Sequence, residues 1–135
     1  MGAESSAGKV LSFKANAVLA AGRVVRLTAA NTVGYWDTLT ANIVGVTVED
    51  SRATNASIAV QVDGAAKVTC LGSDINAVGL LVGPSTDGSG QIVLRAAADT
   101  SSATFQKTLG LATETGATGA PIRVLLNIHN AVLVR

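Results

Sequence analysis

Catalysis at neutral pH draws first on histidine and cysteine, for proton transfer and for nucleophilic attack, and this chain has one of each, His129 and Cys70. Neither has a partner at ligand or relay spacing: no His-x-x-x-His and no Cys-x-x-Cys occurs, so a metal site would have to recruit scattered carboxylates. His129 reads as a surface or sheet-edge residue. Cys70 sits in the apolar run Val68-Thr69-Cys70-Leu71, where a free thiol behaves as a small buried hydrophobe; alone, it permits no internal disulfide and suits a reducing cytoplasm. The loop Gly83-Pro84-Ser85-Thr86-Asp87-Gly88-Ser89-Gly90 has the glycines of a phosphate cradle. It lacks the Lys and Ser/Thr that must follow and the helix that must begin there, and Gln91-Ile92-Val93-Leu94 reads as strand, so it is a turn. Asn55-Ala56-Ser57 fits the glycosylation sequon, without a secretion signal to give it meaning. The nine carboxylates are scattered; Glu49 and Glu114 read as strand-ending or Arg-pairing groups rather than an acid/base couple. The sequence therefore assigns no catalytic residue, no cofactor site, no metal site and no small-molecule substrate, and the chain is read as a non-enzyme.

Binding leaves two places to look. Tyr35 and Trp36 are adjacent, and in an extended segment adjacent side chains face opposite sides, so a ring in the core leaves its neighbour outward as an interface anchor. The start of the chain, residues 1–8, is small and polar and reads as a flexible arm, with Ser5, Ser6 and the adjoining Lys9 as the residues placed to touch a partner surface.

The frame that holds these residues is legible from composition. Hydrophobic residues make up 48% of the 135 positions but aromatics only 3%, so the core is built from Ala, Val, Leu and Ile. Charged residues are 14% and the net charge is +1, against roughly 25% charged residues in ordinary soluble proteins. Nucleic acid needs clustered Lys and Arg, and no cluster exists. A weakly charged aliphatic surface favours association. The longest apolar run, Ile122 to Ile128, is interrupted by Arg123 and Asn127 and is too short for a membrane-spanning helix. No membrane segment is expected, and Met1 to Ser6 lacks the features of a secretory signal.

Apolar and β-branched runs recur between Gly-, Asn-, Asp-, Ser- and Thr-rich breaks, the pattern of an all-β barrel or sandwich forming one domain over 9–135. The predicted strands are Lys9–Ala15, Arg23–Thr28, Ile43–Glu49, Ser57–Val62, Ala65–Leu71, Leu80–Pro84, Gln91–Ala96, Thr108–Glu114, Ile122–Ile128 and Ala131–Val134. Asp63-Gly64 predicts a two-residue type I′ hairpin between the fourth and fifth. Ala97 to Lys107 is open between a short helix and a surface loop.

The chain also repeats itself. Ala21-Gly22-Arg23-Val24-Val25 is echoed by Val78-Gly79-Leu80-Leu81-Val82, Val44-Gly45-Val46-Thr47-Val48-Glu49 by Leu109-Gly110-Leu111-Ala112-Thr113-Glu114, and Ser57-Ile58-Ala59-Val60 by Pro121-Ile122-Arg123-Val124, in the same order. Glycines at matching places inside strands predict bulges or close backbone approaches that a side chain would obstruct.

This ordered set of motifs, with Ile58-Ala59-Val60-Gln61-Val62-Asp63-Gly64 and Ile122-Arg123-Val124-Leu125-Leu126-Asn127, resembles the capsid cement, head decoration or head fibre proteins of tailed phages, from about Ala21 to Asn127. Tyr35-Trp36-Asp37 and the tail Ala131–Arg135 depart from the family pattern. The resemblance implies a compact β body, synthesised in the host cytoplasm, that attaches as a homotrimer to the major capsid protein on the outer face of the virion and stabilises the expanded shell. The competing expectation is a carbohydrate- or receptor-binding β module of a phage fibre, which needs an exposed aromatic platform.

Overall fold

The computed structural model of the chain describes residues 8–38, 40–95 and 107–130. Among them are ten strands and no helix: β1 (Val10–Ala15), β2 (Val24–Ala29), β3 (Thr32–Tyr35), β4 (Gly45–Thr47), β5 (Ser57–Gln61), β6 (Ala65–Thr69), β7 (Leu81–Pro84), β8 (Ile92–Leu94), β9 (Thr108–Ala112) and β10 (Pro121–His129). The first five close into a barrel and the last five form a second sheet. The all-β class is thus established.

The internal repeat extends to strand order and register. Round the barrel from β1 the order is β1-β5-β4-β2-β3, and across the second sheet it is β6-β10-β9-β7-β8, so each strand of the first half has a twin five places later. Thr47↔Val60 on β4 and β5 corresponds to Ala112↔Val124 on β9 and β10. Val25↔Gly45 on β2 and β4 corresponds to Val82↔Gly110 on β7 and β9. The amide of Gly22 donates to Thr47 O at 2.7 Å, and that of Gly79 to Ala112 O at 2.7 Å. Even the closure is shared: β1 pairs in parallel with β3 through Ala15↔Val33, and its twin survives as the parallel bridge Cys70↔Ile92. A parallel contact between strands far apart in sequence brings no hairpin with it, so its recurrence marks two copies of one topology.

Inside the barrel Ala15, Leu19, Val25, Val33, Ile58 and Val60 are buried together. Their twins Cys70, Ile75, Val82, Ile92, Ile122 and Val124 line the second unit, but that cluster also takes in Val24, Trp36, Ile43 and Val46 from the first. The outer face of the barrel therefore plugs into the core of its neighbour. Each aliphatic side chain so buried contributes about 1.5–3 kcal/mol, and the larger of the two clusters is shared by both halves.

The apolar runs predict no strand at Thr32–Tyr35, where β3 lies. Asp63-Gly64 is a turn with positive φ at Gly64 (82°) and not at Asp63, and it carries the chain from one unit to the other: β5 pairs with β1 and β4, β6 with β10. The type I′ hairpin is absent because other strands take the backbone groups at this corner. Val62 N donates to Lys9 O at 2.9 Å and Leu126 N to Gly64 O at 2.7 Å. The Gln61 side-chain amide holds the corner, donating to Asp63 O at 2.8 Å and Ala65 O at 2.9 Å. The other nine strands lie where the apolar runs place them, with ends within two residues. The expected strand Ala131–Val134 and Ala97 to Gln106 lie outside the described residues.

Candidate interaction surface

The seam between the two units is held by polar contacts around the shared core. Val24 N donates to Gly90 O at 2.8 Å and Thr69 N to Gly22 O at 3.0 Å. Arg23 Nη1 donates to Ser89 O at 2.7 Å while its guanidinium lies 5.5 Å from the Tyr35 ring centroid. Asn130 clasps Ile43 from both sides, accepting from its amide at 2.8 Å and donating to its carbonyl at 3.1 Å. Buried Lys107 reaches Asn42 Oδ1 and Asn130 O, each at 2.9 Å. Asp87 shapes the loop that presents Ser89 and Gly90, accepting from Ser89 N at 3.0 Å and Ser89 Oγ at 2.7 Å; these donors hold its carboxyl below the ordinary carboxylate range. The glycine-rich loop is thus a turn that docks one unit on the other.

Beside the seam lies a cleft of about 390 Å³ lined by Gly22, Thr47, Gln61, Lys67, Thr69 and Pro121, among others. Its one ionisable side chain is Lys67, paired with Glu114 at 3.1 Å. The Lys67 ammonium draws the Glu114 carboxyl below its usual value. Glu114 Oε2 also accepts from Arg123 N at 3.2 Å, and its twin Glu49 accepts from Ala59 N at 3.1 Å. The repeated glutamates therefore satisfy matching strand amides, as strand-ending groups do.

Of the two aromatic candidates, Trp36 has no accessible surface, and its indole Nε1 donates to Ala41 O at 2.9 Å. A ring so enclosed packs in the cluster that joins the two units. Tyr35 is half-buried against the barrel core, its hydroxyl accepting from Ala20 N at 2.7 Å. The two rings do face opposite sides, each into an apolar cluster. Lys9 is exposed, with its amide tied to Asp63 and its carbonyl to Val62; Ser5 and Ser6 lie outside the described residues. His129 is exposed at the end of β10. Asn55 of the sequon holds positive φ (70°) and donates its amide to Ala15 O at 2.7 Å, so its role is conformational, as befits Asn in a left-handed turn.

Cys70 is fully buried as the twin of Ala15, and burial, then the Asp74 carboxylate, pushes its thiol up. The thiolate is the reactive species, so native protein at neutral pH is expected to react with an aromatic disulfide reagent at least about a thousandfold more slowly than unfolded protein. Labelling at comparable rates would show the end of β6 to be open.

One surface feature escaped the sequence reading. Leu81, Leu111 and Leu125 sit in cross-strand register on β7, β9 and β10, with Leu111 42% and Leu125 50% exposed. The clue was the phase of β10: Ile122, Val124 and Leu126 point inward, so Leu125 must point out.

No family model matches the chain, and no curated protein matches it. Among solved structures it is similar to the crystal structure of the head fiber gp8.5 N base in bacteriophage phi29, with a TM-score of 0.64 and 15% identity, over 88% of this chain and 93% of that one. At that identity the likeness establishes a shared fold.

Proposed function

We propose that the chain is a structural protein of a tailed-phage head, a cement or decoration protein that binds the major capsid protein on the outer face of the virion after synthesis in the host cytoplasm. The observation that carries this reading is the fold shared with a phage head fibre base over nearly the whole of both chains. It agrees with the family that the ordered glycine motifs resemble, and two inert β units locked through one core suit a part whose work is adhesion. As a homotrimer the protein grips several shell subunits at once, and effective concentration multiplies weak contacts into a firm hold. Binding only the assembled, expanded shell shifts its stability by ordinary linkage. The fibre-module alternative loses ground because Trp36 is enclosed and Tyr35 packed against the barrel, which leaves no aromatic platform among the described residues.

Purified protein mixed with expanded, undecorated capsids of its phage is expected to co-sediment with them and raise their melting temperature. Capsids that neither bind it nor melt differently would defeat the proposal.

A further inference from the structure

The register of β6 on β10 fixes which backbone groups of β6 are paired. Cys70 N donates to Ala120 O at 2.9 Å and Leu126 N to Gly64 O at 2.7 Å, so the even-numbered residues bond to β10, and the N–H and C=O groups of Ala65, Lys67 and Thr69 point to the opposite edge. Two of these are used within the chain: Thr69 N donates to Gly22 O at 3.0 Å, and Ala65 O accepts from the Gln61 side-chain amide at 2.9 Å. The amides of Ala65 and Lys67 and the carbonyl of Lys67 have no partner among the described residues.

That edge forms one wall of the cleft beside the seam, with Ala21, Gly22, Thr47 and Val48 opposite. A lysine on an edge strand ordinarily guards it against further pairing. Lys67 does not, because its ammonium is drawn across β10 to Glu114 at 3.1 Å, the carboxylate that also accepts from Arg123 N. Gly22 keeps the end of the cleft open, since a Cβ there would stand 3.3 Å from Thr69 Oγ1 and 3.4 Å from Lys67 O. Val48, 43% exposed, supplies an apolar wall.

We infer that the free edge of β6 takes an extended segment of the major capsid protein as an added strand. The identity of the partner rests on the proposed function. Its class rests on the edge itself: two amides about 6.6 Å apart along a strand, with a carbonyl between their directions, are matched by an extended backbone, which gains affinity from main-chain bonds and specificity from its alternate side chains. The segment has no proline at the paired positions and a small or β-branched side chain against Val48. The twin edge on β1 already takes a strand: Lys14 N, the twin of Thr69 N, donates to Asn31 O at 2.8 Å where β3 joins it in parallel. The described chain ends elsewhere, at Gly8 beside Asp63 on the β1 side of β5 and at Asn130, which clasps Ile43 at the other end of β4 from Thr47 and Val48. The occupant is therefore taken from another molecule.

Hydrogen exchange read by mass spectrometry, with co-sedimentation on expanded, undecorated capsids, tests this. In the free chain the amides of Ala65 and Lys67 are expected to exchange freely while those of Ala66 and Val68, bonded to β10, exchange slowly. On capsids the first pair is expected to slow by about tenfold or more. Ala65→Pro and Lys67→Pro each delete one outward amide and no β6–β10 bond, which an edge strand tolerates, and each is expected to weaken capsid binding about tenfold. A loss at Ala65 cannot come from the Lys67 ammonium. Ser12→Pro makes the same change at the twin of Lys67, on the exposed edge of β1 whose amide also faces away from β5, and is expected to bind as the native chain does. If the proline variants fail to fold, the exchange pattern of the native chain decides. Protected amides at Ala65 and Lys67 in the free chain overturn the inference, because the edge is then filled by the chain itself, and so do folded proline variants that sediment as the native chain does. A native chain that does not sediment with capsids at all defeats the proposed function and this partner with it, which is a different result from either.

Discussion

Replacing Trp36 with alanine is expected to lower the free energy of unfolding by about 3–5 kcal/mol and the melting temperature by about 10–20 °C. The ring is the largest fully buried side chain and belongs to the cluster that joins Val24, Ile43 and Val46 of the barrel to the interior of the second unit. Removal leaves a cavity in that shared core and strips the partner from the Ala41 carbonyl, which accepts its indole N–H at 2.9 Å. A tightly packed interior does not collapse to fill such a void. Trp36→Phe keeps most of the volume but loses the hydrogen bond, so its loss should be smaller. Both are read by denaturant unfolding. If Trp36→Ala melts within about 2 °C of the native chain, the shared core does not hold the units together, and the ring is free for another role.

The fate of Trp36 illustrates what the sequence could and could not disclose. Alternation said that Tyr35 and Trp36 face opposite ways, and they do. It could not say that the barrel's outer face would also be covered, since that covering comes from residues such as Gly90 and Thr69, remote in sequence from Val24 and Gly22. β3 was hidden for a different reason. It is four residues long and Gly34 interrupts its apolar pattern; it pairs chiefly as a hairpin with β2 and also in parallel with β1, and the Ala30-Asn31 turn that joins the hairpin lacks the glycine that marks such turns. Asp63-Gly64 erred in the opposite direction: a break between strands with positive φ at Gly64 is there, but the type I′ geometry is not, and only tertiary pairing decides whether such a break folds two strands together or hands the chain to a second unit. The repeat was legible because it is written in residues that the backbone geometry constrains twice. The leucine row was legible only in part, because phase alone marks Leu125 as outward and cross-strand register with Leu81 and Leu111 appears only in the fold.

Those twice-constrained residues carry the sharpest expectation for the fold. Alanine at Gly45 or at Gly110 is expected to destabilise the protein by about 3 kcal/mol or more in either case. A Cβ at Gly45 would stand 2.3 Å from Gln61 O and 2.8 Å from Val60 Cγ1, and one at Gly110 would stand 2.0 Å from Leu125 O. Gln61 and Leu125 are themselves twins, so the same carbonyl of the neighbouring strand obstructs both positions. Backbone cannot swing aside as a long side chain does. β4 would have to leave β5, or β9 leave β10, and each pair anchors the core of its unit. Gly72 is the control, since nothing lies within 4 Å of its Cβ position and its φ is not positive; alanine there removes freedom from the unfolded chain and should be neutral or stabilising by up to about 1 kcal/mol. Equilibrium unfolding of the three variants decides the matter. Matched losses at Gly45 and Gly110 mean that one close backbone approach is kept in both units. A chain that accepts alanine at either glycine within about 0.5 kcal/mol of the native protein would show that the two closures are not equivalent and that the repeat is a likeness of sequence without a common structural constraint.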